Sequence, residues 1–381
     1  MPLIRLPRPL AATVTVIALA ISCAGFFTAC SGSSNENKPD LLLVIVDDQR
    51  ADTMEVVPAV RASFPVVFRN GFATTPNCCP SRSSILSGEY AHTTGVKHNG
   101  YVEVWQDREE DTLGPWLQEQ GYYTGFVGKY FNQYSRDDHI PVGWDEFYGL
   151  AYDVGDRTRT VGLREGFRDA EGDEHDELAV YPDAEHPALY PTTIFSRLAE
   201  RFLDHAASEA FNPDGKPFAL VLSTTVPNTR RIPPRYARAP LPRWHQPPSF
   251  MEPDMSDKPL EIRESHRVVT KPSQAAAVRA RQLRELMTVN DAVKAVWARI
   301  ARYGWRRHTW GIYFSDNGRF WGEHHLRKKY AGYEEAIHVP FRMAVPGLGR
   351  RSFDELVANI DIAPTLVDLA GDDSNHDFAG P

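Results

Sequence analysis

The run from Leu41 to Val46 constrains the fold more than any other segment, because six consecutive apolar residues end abruptly at Asp47 and Asp48. An apolar run of strand length without polar alternation is typical of a strand that is buried on both faces, as in a parallel sheet. Parallel strands need long crossover connections, which are usually helices. The segment therefore predicts the first strand of an α/β sheet.

The rest of the chain alternates between helix-like and strand-like segments. Apolar residues recur at helical spacing in Leu113–Gln120, Thr193–His205 and Arg281–Ala301. Strand-like runs cover Tyr123–Val127, Phe218–Ser223 and Thr309–Phe314, and a strand followed by a helix is predicted within Val357–Leu369. This alternation predicts an α/β sheet with helices on both faces. Loops or insertions are predicted where the rhythm breaks, at Tyr152–Tyr190 and Pro227–Pro248.

Residues 1–29 have the pattern of an export signal. Arg5 and Arg8 precede an apolar run, and small residues lead to Cys30. This pattern resembles a bacterial lipobox, in which Cys30 would be lipidated and residues 30–39 would form a flexible tether. An ordinary cleaved signal and an uncleaved membrane anchor are the alternatives. We expect an exported bacterial protein that is a membrane-anchored lipoprotein, or otherwise secreted or periplasmic.

The overall charge is negative, at -8 from 42 basic and 50 acidic residues. Arg5 and Arg8 are the only charged residues before Cys30, so removal of residues 1–29 would leave 40 basic against 50 acidic residues, or -10. Bulk attraction to nucleic acid is therefore not expected. An anionic ligand would have to be bound by a local cluster of lysine and arginine side chains.

Polar pairs follow two of the predicted strands. Asp47 and Asp48 end the first, and Asp316 and Asn317 come directly after Thr309–Phe314 and Ser315. Ligand crevices form at the carboxyl ends of strands in an open parallel sheet, so these side chains are predicted to converge. Oxygen ligands of this type suit Ca²⁺ or Mg²⁺ and not zinc. Helix capping or turn formation is the alternative for each pair alone.

Of the four cysteines, Cys78 and Cys79 are neighbours in sequence, and the distribution cannot build a disulfide framework. Cys78 lies two residues before Pro80, which can begin a helix. A helix N-terminus with Arg82 nearby would form an anion pocket and favour a thiolate. A nucleophilic cysteine and a buried structural cysteine pair are both compatible with these residues.

The segment Cys78-x-Pro80-Ser81-Arg82, continuing to Leu86-Ser87-Gly88, resembles the signature of type I sulfatases of the alkaline phosphatase-like superfamily. The resemblance extends over Asp40 to about Gly371. Its further motifs are Asp47-Asp48, Gly128-Lys129-Tyr130, Asp316-Asn317-Gly318, Gly322-Glu323-His324 and Lys329-x-x-x-Tyr333-Glu334. The doubled cysteine and Gly128 to Tyr134 are most similar to N-acetylglucosamine-6-sulfatases and heparan sulfate endosulfatases.

The resemblance implies a mixed, mostly parallel sheet and hydrolysis of sulfate esters, with sulfated sugars or glycosaminoglycan-like molecules as the expected substrates. A formylglycine-generating enzyme would oxidise Cys78 to Cα-formylglycine, whose hydrate attacks sulfur. Fixed positive charge would come from Arg82, Lys129 and Lys329. The implied ligands of Ca²⁺, or of Mg²⁺, are Asp47, Asp48, Asp316, Asn317 and modified Cys78.

Two departures from the family pattern affect the expected chemistry. The family usually presents a leaving-group histidine where this chain has Asn228, and neutral Asn228 cannot act as a general acid. His324 or His325 would take over part of that role, or would be surface or supporting residues. The usual smaller C-terminal subdomain is expected to be missing, so residues 40–381 would form a catalytic domain that is truncated or has an open pocket.

Three functional alternatives follow. A sulfatase is the first, and a phosphodiester or phosphonate monoester hydrolase of the same superfamily is the second. The third is a catalytically impaired surface lipoprotein that binds glycans, which Asn228 and the expected missing subdomain motivate. The arginine-rich segment Arg230 to Arg243 would bind a polyanionic sugar chain in either case, or would be a solvated proline-rich loop.

Overall fold

A ten-stranded mixed sheet forms the centre of the part of the chain that the structure describes. The structure is a computed structural model, and it describes residues 38–100, 102–154, 160–169, 172–181, 190–228, 231–264 and 271–372, together with residues 376 and 378. The predicted signal, Cys30, most of the tether and Arg230 lie outside the described residues. Within the described residues, no helix is both long enough and apolar enough to cross a bilayer.

The strands and helices of the described residues follow each other along the whole chain. The strands are β1 (Asp40–Val46), β2 (Val66–Phe72), β3 (Tyr123–Gly128), β4 (Glu146–Leu150), β5 (Val161–Arg168), β6 (Glu174–Tyr181), β7 (Phe218–Ser223), β8 (Thr309–Ser315), β9 (Phe320–Trp321), β10 (Arg327–Lys328), β11 (Phe341–Ala344) and β12 (Arg351–Ala358). The helices are α1 (Pro58–Ser63), α2 (Cys78–Ser87), α3 (Ala91–Thr94), α4 (Val102–Gln106), α5 (Leu113–Glu119), α6 (Pro191–Ala206), α7 (Leu260–Arg263), α8 (Pro272–Arg302), α9 (Glu334–Ile337) and α10 (Ile362–Leu369).

The strand order in the large sheet is β12-β2-β11-β8-β1-β7-β3-β4-β5-β6. The five strands β8, β1, β7, β3 and β4 run parallel to one another. Antiparallel pairing joins β5 and β6 to one side, and β11 lies antiparallel between β8 and β2. The predicted mixed, mostly parallel sheet is confirmed.

Strand β1 is buried on both faces, as its unbroken apolar run predicts. The even-numbered side chains of Leu42–Val46 pack in one core cluster with residues of α6 and α8. The odd-numbered side chains of Leu41–Ile45 pack in a second cluster with residues of α2, α5 and α10. Each fully buried side chain of this kind contributes roughly 1.5–3 kcal/mol relative to an exposed one. Helices therefore cover both faces of the sheet.

The prediction of a loop over Tyr152–Tyr190 is wrong in part, because β5 and β6 form an antiparallel pair there. Strand β6 is largely exposed and carries several acidic residues, so it lacks the apolar alternation of a half-buried strand. Its pairing depends on cross-strand contacts such as Arg164 with Asp176 and Tyr181 with Glu165 at 2.9 Å. Helix α8 is also longer than predicted, because its first turns are polar and alanine-rich.

A buried carboxylate begins the central strand. Asp40 is 8% exposed, and its Oδ1 accepts the N–H of Phe218 at 3.2 Å. Burial raises the pKa of Asp40 from 3.8 to about 6, against the smaller opposing effects of that hydrogen bond and of His308. Burial disfavours ionised Asp40 only in the folded state, so ionisation lowers the stability of the fold. This loss of stability is absent below about pH 4, where Asp40 is protonated in both states, and complete above about pH 7.

We expect Asp40→Asn to raise the free energy of unfolding by roughly 2 kcal/mol at pH 7.5, because it removes the buried charge and keeps the acceptor for Phe218. The difference from the unsubstituted protein should shrink towards zero as the pH falls to about 4. Urea denaturation of both proteins across this pH range measures the effect. A difference that does not change with pH would contradict the assignment.

Candidate active site

The carboxyl ends of four neighbouring parallel strands meet at one edge of the sheet. These strands are β8, β1, β7 and β3, in that spatial order. Asp316 follows β8, Asp47 follows β1 and Lys129 follows β3. Ligands bind at this edge in open α/β sheets. The topology therefore brings the predicted site residues together.

Asp47, Asp48, Asp316 and Cys78 form a buried acidic cluster, in which the possible ligand atoms all lie within 4.8 Å of one another. The Asp48 N–H donates to Asp316 Oδ1 at 3.1 Å, and Asn317 Nδ2 donates to Asp48 Oδ1 at 2.6 Å. Asp48 has a φ of 67°, a left-handed conformation that aspartate tolerates better than most residues. The chain therefore turns directly after β1 and carries both carboxylates into the cluster.

Cys78 occupies the first turn of α2 and contacts Asp47 and Lys329. Its Sγ lies 3.4 Å from Asp47 Oδ1 and 2.7 Å from Lys329 Nζ. The helix begins at Cys78, with Asn77 as its N-cap, two residues before Pro80, which could have begun a helix. Pro80 is tolerated in the first turn because the N–H that it lacks would have no partner within the helix there.

The surroundings of Cys78 disfavour an unmodified nucleophilic cysteine. Burial and the negative charge of Asp47 raise the pKa of the Cys78 thiol well above its ordinary value, against the opposing effects of Lys129 and Lys329. The thiolate is the nucleophilic form of cysteine, and it is disfavoured at this position. The protein groups around unmodified Cys78 therefore favour its thiol form.

Each carboxylate of the cluster has a cationic partner of its own. Burial would lower the pKa of Lys129 and of Lys329, but the neighbouring carboxylates raise both pKa values above the ordinary value for lysine. Both amines are therefore charged at neutral pH. The pairs are Lys129 with Asp47 at 2.8 Å, Arg82 with Asp316 at 2.9 Å, and Lys329 with Asp48.

Close backbone contact between β3 and β7 positions Lys129. Gly128 has a φ of 110°, and a Cβ atom there would lie 1.9 Å from Ser223 O. The Lys129 N–H donates to the same oxygen at 2.8 Å. Arg82 Nη1 donates to Lys129 O at 2.7 Å and to Ser223 Oγ at 2.6 Å. Its Nη2 is buried and has no hydrogen-bond partner among the described residues, so it can serve a ligand.

Asn228 lies at the exposed rim of the cluster. Its Nδ2 is 3.4 Å from Asp47 Oδ2, and its Oδ1 accepts from Arg319 Nη1 at 3.0 Å. Arg319 Nη1 also donates to Asp48 Oδ2 at 2.5 Å. Sequence reasoning missed Arg319. Its position directly after Asp316-Asn317-Gly318 is the signal that would have identified it.

His324 and His325 hydrogen-bond to Glu252, which is not a member of the acidic cluster. His324 Nδ1 is hydrogen-bonded to Glu252, its Nε2 lies 3.8 Å from Glu335 Oε2, and its ring centroid lies 4.3 Å from that of Tyr333. His325 Nε2 is hydrogen-bonded to Glu252 O at 2.9 Å. Within the described residues, neither histidine hydrogen-bonds to a member of the acidic cluster.

A polar cavity of about 750 Å³ adjoins the N-cap of α2. Cys79 helps to shape it, because its N–H donates to Asn99 Oδ1 at 3.0 Å and its Sγ accepts the N–H of Asn132 at 3.2 Å. Four amide side chains therefore line the cavity close to Cys78, and they are accompanied by one carboxylate, one imidazole and two phenol groups. The lining residues are Asn77, Asn99, Asn132, Gln133, Asp153, His98, Tyr152, Tyr330 and Gly100.

Residues 39–372 match the family model described as sulfatase. The chain belongs to the sulfatase family. The match covers nearly all of the residues that the structure describes, including every member of the acidic cluster. The resemblance that the Cys78 motif indicates is therefore confirmed.

Two relatives and one solved structure show how far the likeness extends. Human N-acetylglucosamine-6-sulfatase is 27% identical over 393 residues, which cover 97% of this sulfatase chain and 67% of the relative. An extracellular sulfatase homologue of Drosophila melanogaster is 28% identical over 369 residues, and the chain spans 31% of its length. A protein solved with its substrate, D-glucosamine-2-N,6-O-disulfate, has a TM-score of 0.71 at 20% identity, covering 90% of this chain and 79% of that chain. At this identity the last comparison concerns the fold.

The sulfatase family implies a metal ion and a formylglycine, and the residues present fit both. Asp47, Asp48, Asp316 and Asn317 offer oxygen ligands, which Ca²⁺ and Mg²⁺ prefer. The Cys78 side chain lies within the same cluster, so an oxygen in place of its sulfur would lie among these ligands. Arg82 Nη2 is buried and has no hydrogen-bond partner among the described residues, which supports a bound ligand as its partner.

We expect Arg82→Met to lower the free energy of unfolding by about 3–5 kcal/mol, because it leaves the buried Asp316 without its partner. The substitution keeps most of the side-chain volume. Arg69→Met is the matched control, since Arg69 and its partner Asp354 are exposed at 55% and 71%, and exposed pairs contribute little. Urea denaturation measures both variants, and equal effects would contradict the special role of Arg82.

Proposed function

We propose that this chain hydrolyses sulfate esters of sugars with a Cα-formylglycine made from Cys78. The supporting observation is the position of Cys78 Sγ, 2.7 Å from Lys329 Nζ and inside the buried acidic cluster. When present, the hydrated aldehyde at this position would supply a nucleophilic oxygen for the sulfate sulfur, and the bond between sulfur and the sugar oxygen would break as the alcohol leaves. The neutral thiol of unmodified Cys78 lacks this chemistry, so activity depends on the modification.

A divalent cation, Ca²⁺ or Mg²⁺, is the proposed cofactor. Its ligands would be Asp47, Asp48, Asp316, Asn317 and the oxygen of modified Cys78. The first support is the set of buried carboxylate oxygens. The second is the cationic side chains that hold these carboxylates in place. When bound, the cation polarises the sulfate oxygens and the nucleophile.

Arg82, Lys129 and Lys329 supply fixed positive charge for the transition state. Both lysine amines and the guanidinium group are buried, and each is held in place by a carboxylate. Preorganised cations in a site with little water stabilise developing negative charge strongly, because they need no reorganisation during the reaction. This explains how a protein with net negative charge can act on an anionic ester.

The leaving-group side depends on Asn228 in this proposal. Its Nδ2 can donate a hydrogen bond, and Arg319 at 3.0 Å orients the amide. An amide cannot protonate the leaving oxygen, so turnover should favour esters whose alcohol is a good leaving group. His324 stays a predicted catalytic residue, although its hydrogen bond to Glu252 favours a supporting role.

The polar cavity beside Asn77 is the proposed site for the sugar. Its amide side chains offer paired donors and acceptors, which match sugar hydroxyl groups. A volume of about 750 Å³ is within the range of ligand pockets for small molecules. Human N-acetylglucosamine-6-sulfatase is a relative by sequence, which supports sulfated glucosamine as the sugar.

A glycan-binding protein without turnover is the second candidate function. The observation that favours it is the leaving-group side, where Asn228 takes the place of a general acid, while His324 and His325 hydrogen-bond to Glu252. The intact acidic cluster favours the enzyme. Phosphodiester or phosphonate ester hydrolysis is the remaining alternative from the sequence.

We further propose export, with residues 1–29 as the signal and Cys30 as the lipidation site. The support is the sequence pattern together with a relative named as an extracellular sulfatase. The partners in this proposal are a formylglycine-generating enzyme, a membrane through the lipid anchor and a sulfated sugar. No nucleic acid partner is proposed, because the net charge of the chain is -8.

Peptide mass spectrometry across Thr74 to Arg82 tests the modification. We expect a loss of about 18 Da at Cys78 in protein made together with a formylglycine-generating enzyme, because the thiol becomes an aldehyde. Cys78→Ala should abolish sulfate release and keep the fold, whereas Cys79→Ala should retain the mass change. Sulfate release by Cys78→Ala at an unchanged rate would refute the proposed nucleophile.

Parallel assays on 4-nitrophenyl sulfate, 4-nitrophenyl phosphate and a 4-nitrophenyl phosphonate test the substrate class. We expect the highest kcat/KM for the sulfate, and loss of at least about tenfold after removal of the metal with a chelator, because the cation polarises the sulfate oxygens. Added Ca²⁺ should restore the rate. A higher kcat/KM for the phosphonate would favour the alternative hydrolase, and sugar binding without release of sulfate would favour the binding protein.

A further inference from the structure

A second depression lies beside the reaction centre, between the start of α8 and the turn that joins β9 to β10. Its volume is about 230 Å³. Three cationic side chains line it, from Arg319, Arg327 and Lys328, and Trp321 contributes an aromatic surface. We call it the cationic pocket. None of these four residues belongs to the set that the sequence motifs assign to catalysis.

The cationic pocket carries positive charge that the protein does not neutralise. Arg327 and Lys328 are exposed. Among the described residues, only Arg319 of the three cations has a carboxylate partner, which is Asp48. The neighbouring acidic side chain, Glu323, is buried and paired with Arg50 at 2.6 Å. An anion that enters the pocket therefore meets two cations free to bind it.

The aromatic wall of the pocket, Trp321, packs against two further arginine side chains that do not line the pocket. Trp321 is buried, and Arg50 and Arg279 lie 4.0 and 5.7 Å from its ring centroid. Arg279 is held near this position by its hydrogen bond to Pro242 O at 3.1 Å. Trp321 therefore forms a packed apolar wall of the pocket, and the charge available to a ligand is that of Arg327 and Lys328.

The cationic pocket and the polar cavity lie on opposite sides of Lys329 in the chain. Tyr330 lines the polar cavity, Lys328 lines the cationic pocket, and Lys329 between them reaches Cys78 at 2.7 Å. Arg319 makes a second connection, since it lines the cationic pocket and donates to Asp48. Residues of both recesses are thus linked to the reaction centre, through Lys329 and Arg319.

We infer that the cationic pocket is a second anion subsite, which binds a sulfate or carboxylate group on the sugar next to the one that loses its sulfate. Its volume fits one such group and part of a sugar ring. This inference rests on the proposed function, because it concerns the substrate of the same site. It makes the protein selective for saccharides with at least two anionic groups.

The test compares two disaccharides that contain glucosamine 6-sulfate. In the first the second sugar is a 2-O-sulfated uronic acid, and in the second it is a neutral sugar. The third substrate is 4-nitrophenyl sulfate, which contains no sugar. The variant is Arg327→Gln/Lys328→Asn, in which Asn suits the positive φ of 66° at residue 328. The matched control is Arg306→Gln/Arg307→Gln, which removes the same charge from exposed residues before β8, at the amino end of that strand.

We expect the Arg327→Gln/Lys328→Asn variant to lose about tenfold or more in kcat/KM on the anionic disaccharide, since charge-assisted contacts are the stronger hydrogen bonds. Its kcat/KM on the disaccharide with the neutral second sugar and on 4-nitrophenyl sulfate should stay within about twofold of the value for the unsubstituted protein. The control should match the unsubstituted protein on all three substrates. Equal losses on all three substrates, or no loss on any, would overturn the inference.

Calorimetry in the Cys78→Ala background separates the subsite from the proposed reaction. We expect the anionic disaccharide to bind about tenfold more weakly when Arg327 and Lys328 are also replaced, whatever the outcome of the activity assays. If the unsubstituted protein with its modified cysteine releases no sulfate and the binding difference persists, the proposed function fails and the subsite stands. Unchanged binding would overturn the subsite while leaving sulfate hydrolysis intact.

Discussion

Three carboxylates are buried side by side in this protein, and the arrangement is stable because each of them contacts a cation. Leaving one partner of a buried ion pair alone costs several kcal/mol, so the pairs have to form together. Their cations come from distant parts of the chain: Arg82 from helix α2, Lys129 from the end of β3 and Lys329 from the residue after β10. The parallel order of β8, β1, β7 and β3 is what makes these contacts geometrically possible.

The central sheet and the acidic cluster could be predicted because their signals are local in sequence. An unbroken apolar run predicts a doubly buried strand, and polar pairs at the ends of parallel strands predict a shared edge. Asp47 and Asp316 follow this rule directly, and they lie in one buried cluster. The roles of Cys78 and Lys329 needed the family resemblance, because neither residue is placed by periodicity.

The other features of the fold and of the site depend on contacts that no local sequence pattern indicates. Strands β5 and β6 pair through cross-strand ion pairs and hydrogen bonds, and these leave no apolar alternation in β6. Arg319 reaches Asp48 and Asn228 only because the chain turns sharply after β8. The N-cap at Asn77 starts α2 two residues before the proline, which a proline-based rule for helix starts cannot foresee. At these positions tertiary contacts determine the structure, and local sequence preferences do not.

The hydrogen bond between Asp48 and Asp316 joins residues that are 268 positions apart. Pairing across such a separation is slow, because the entropy of closing the intervening chain is lost before the contact forms. In the finished fold Cys78 is only 1% exposed, so its sulfur is sealed from any large protein. For the proposed oxidation of Cys78, the delay in assembling the sheet would define the interval in which a second enzyme can reach this cysteine. The proposed maturation would compete kinetically with folding, and a chain that folds faster would spend less time open to oxidation.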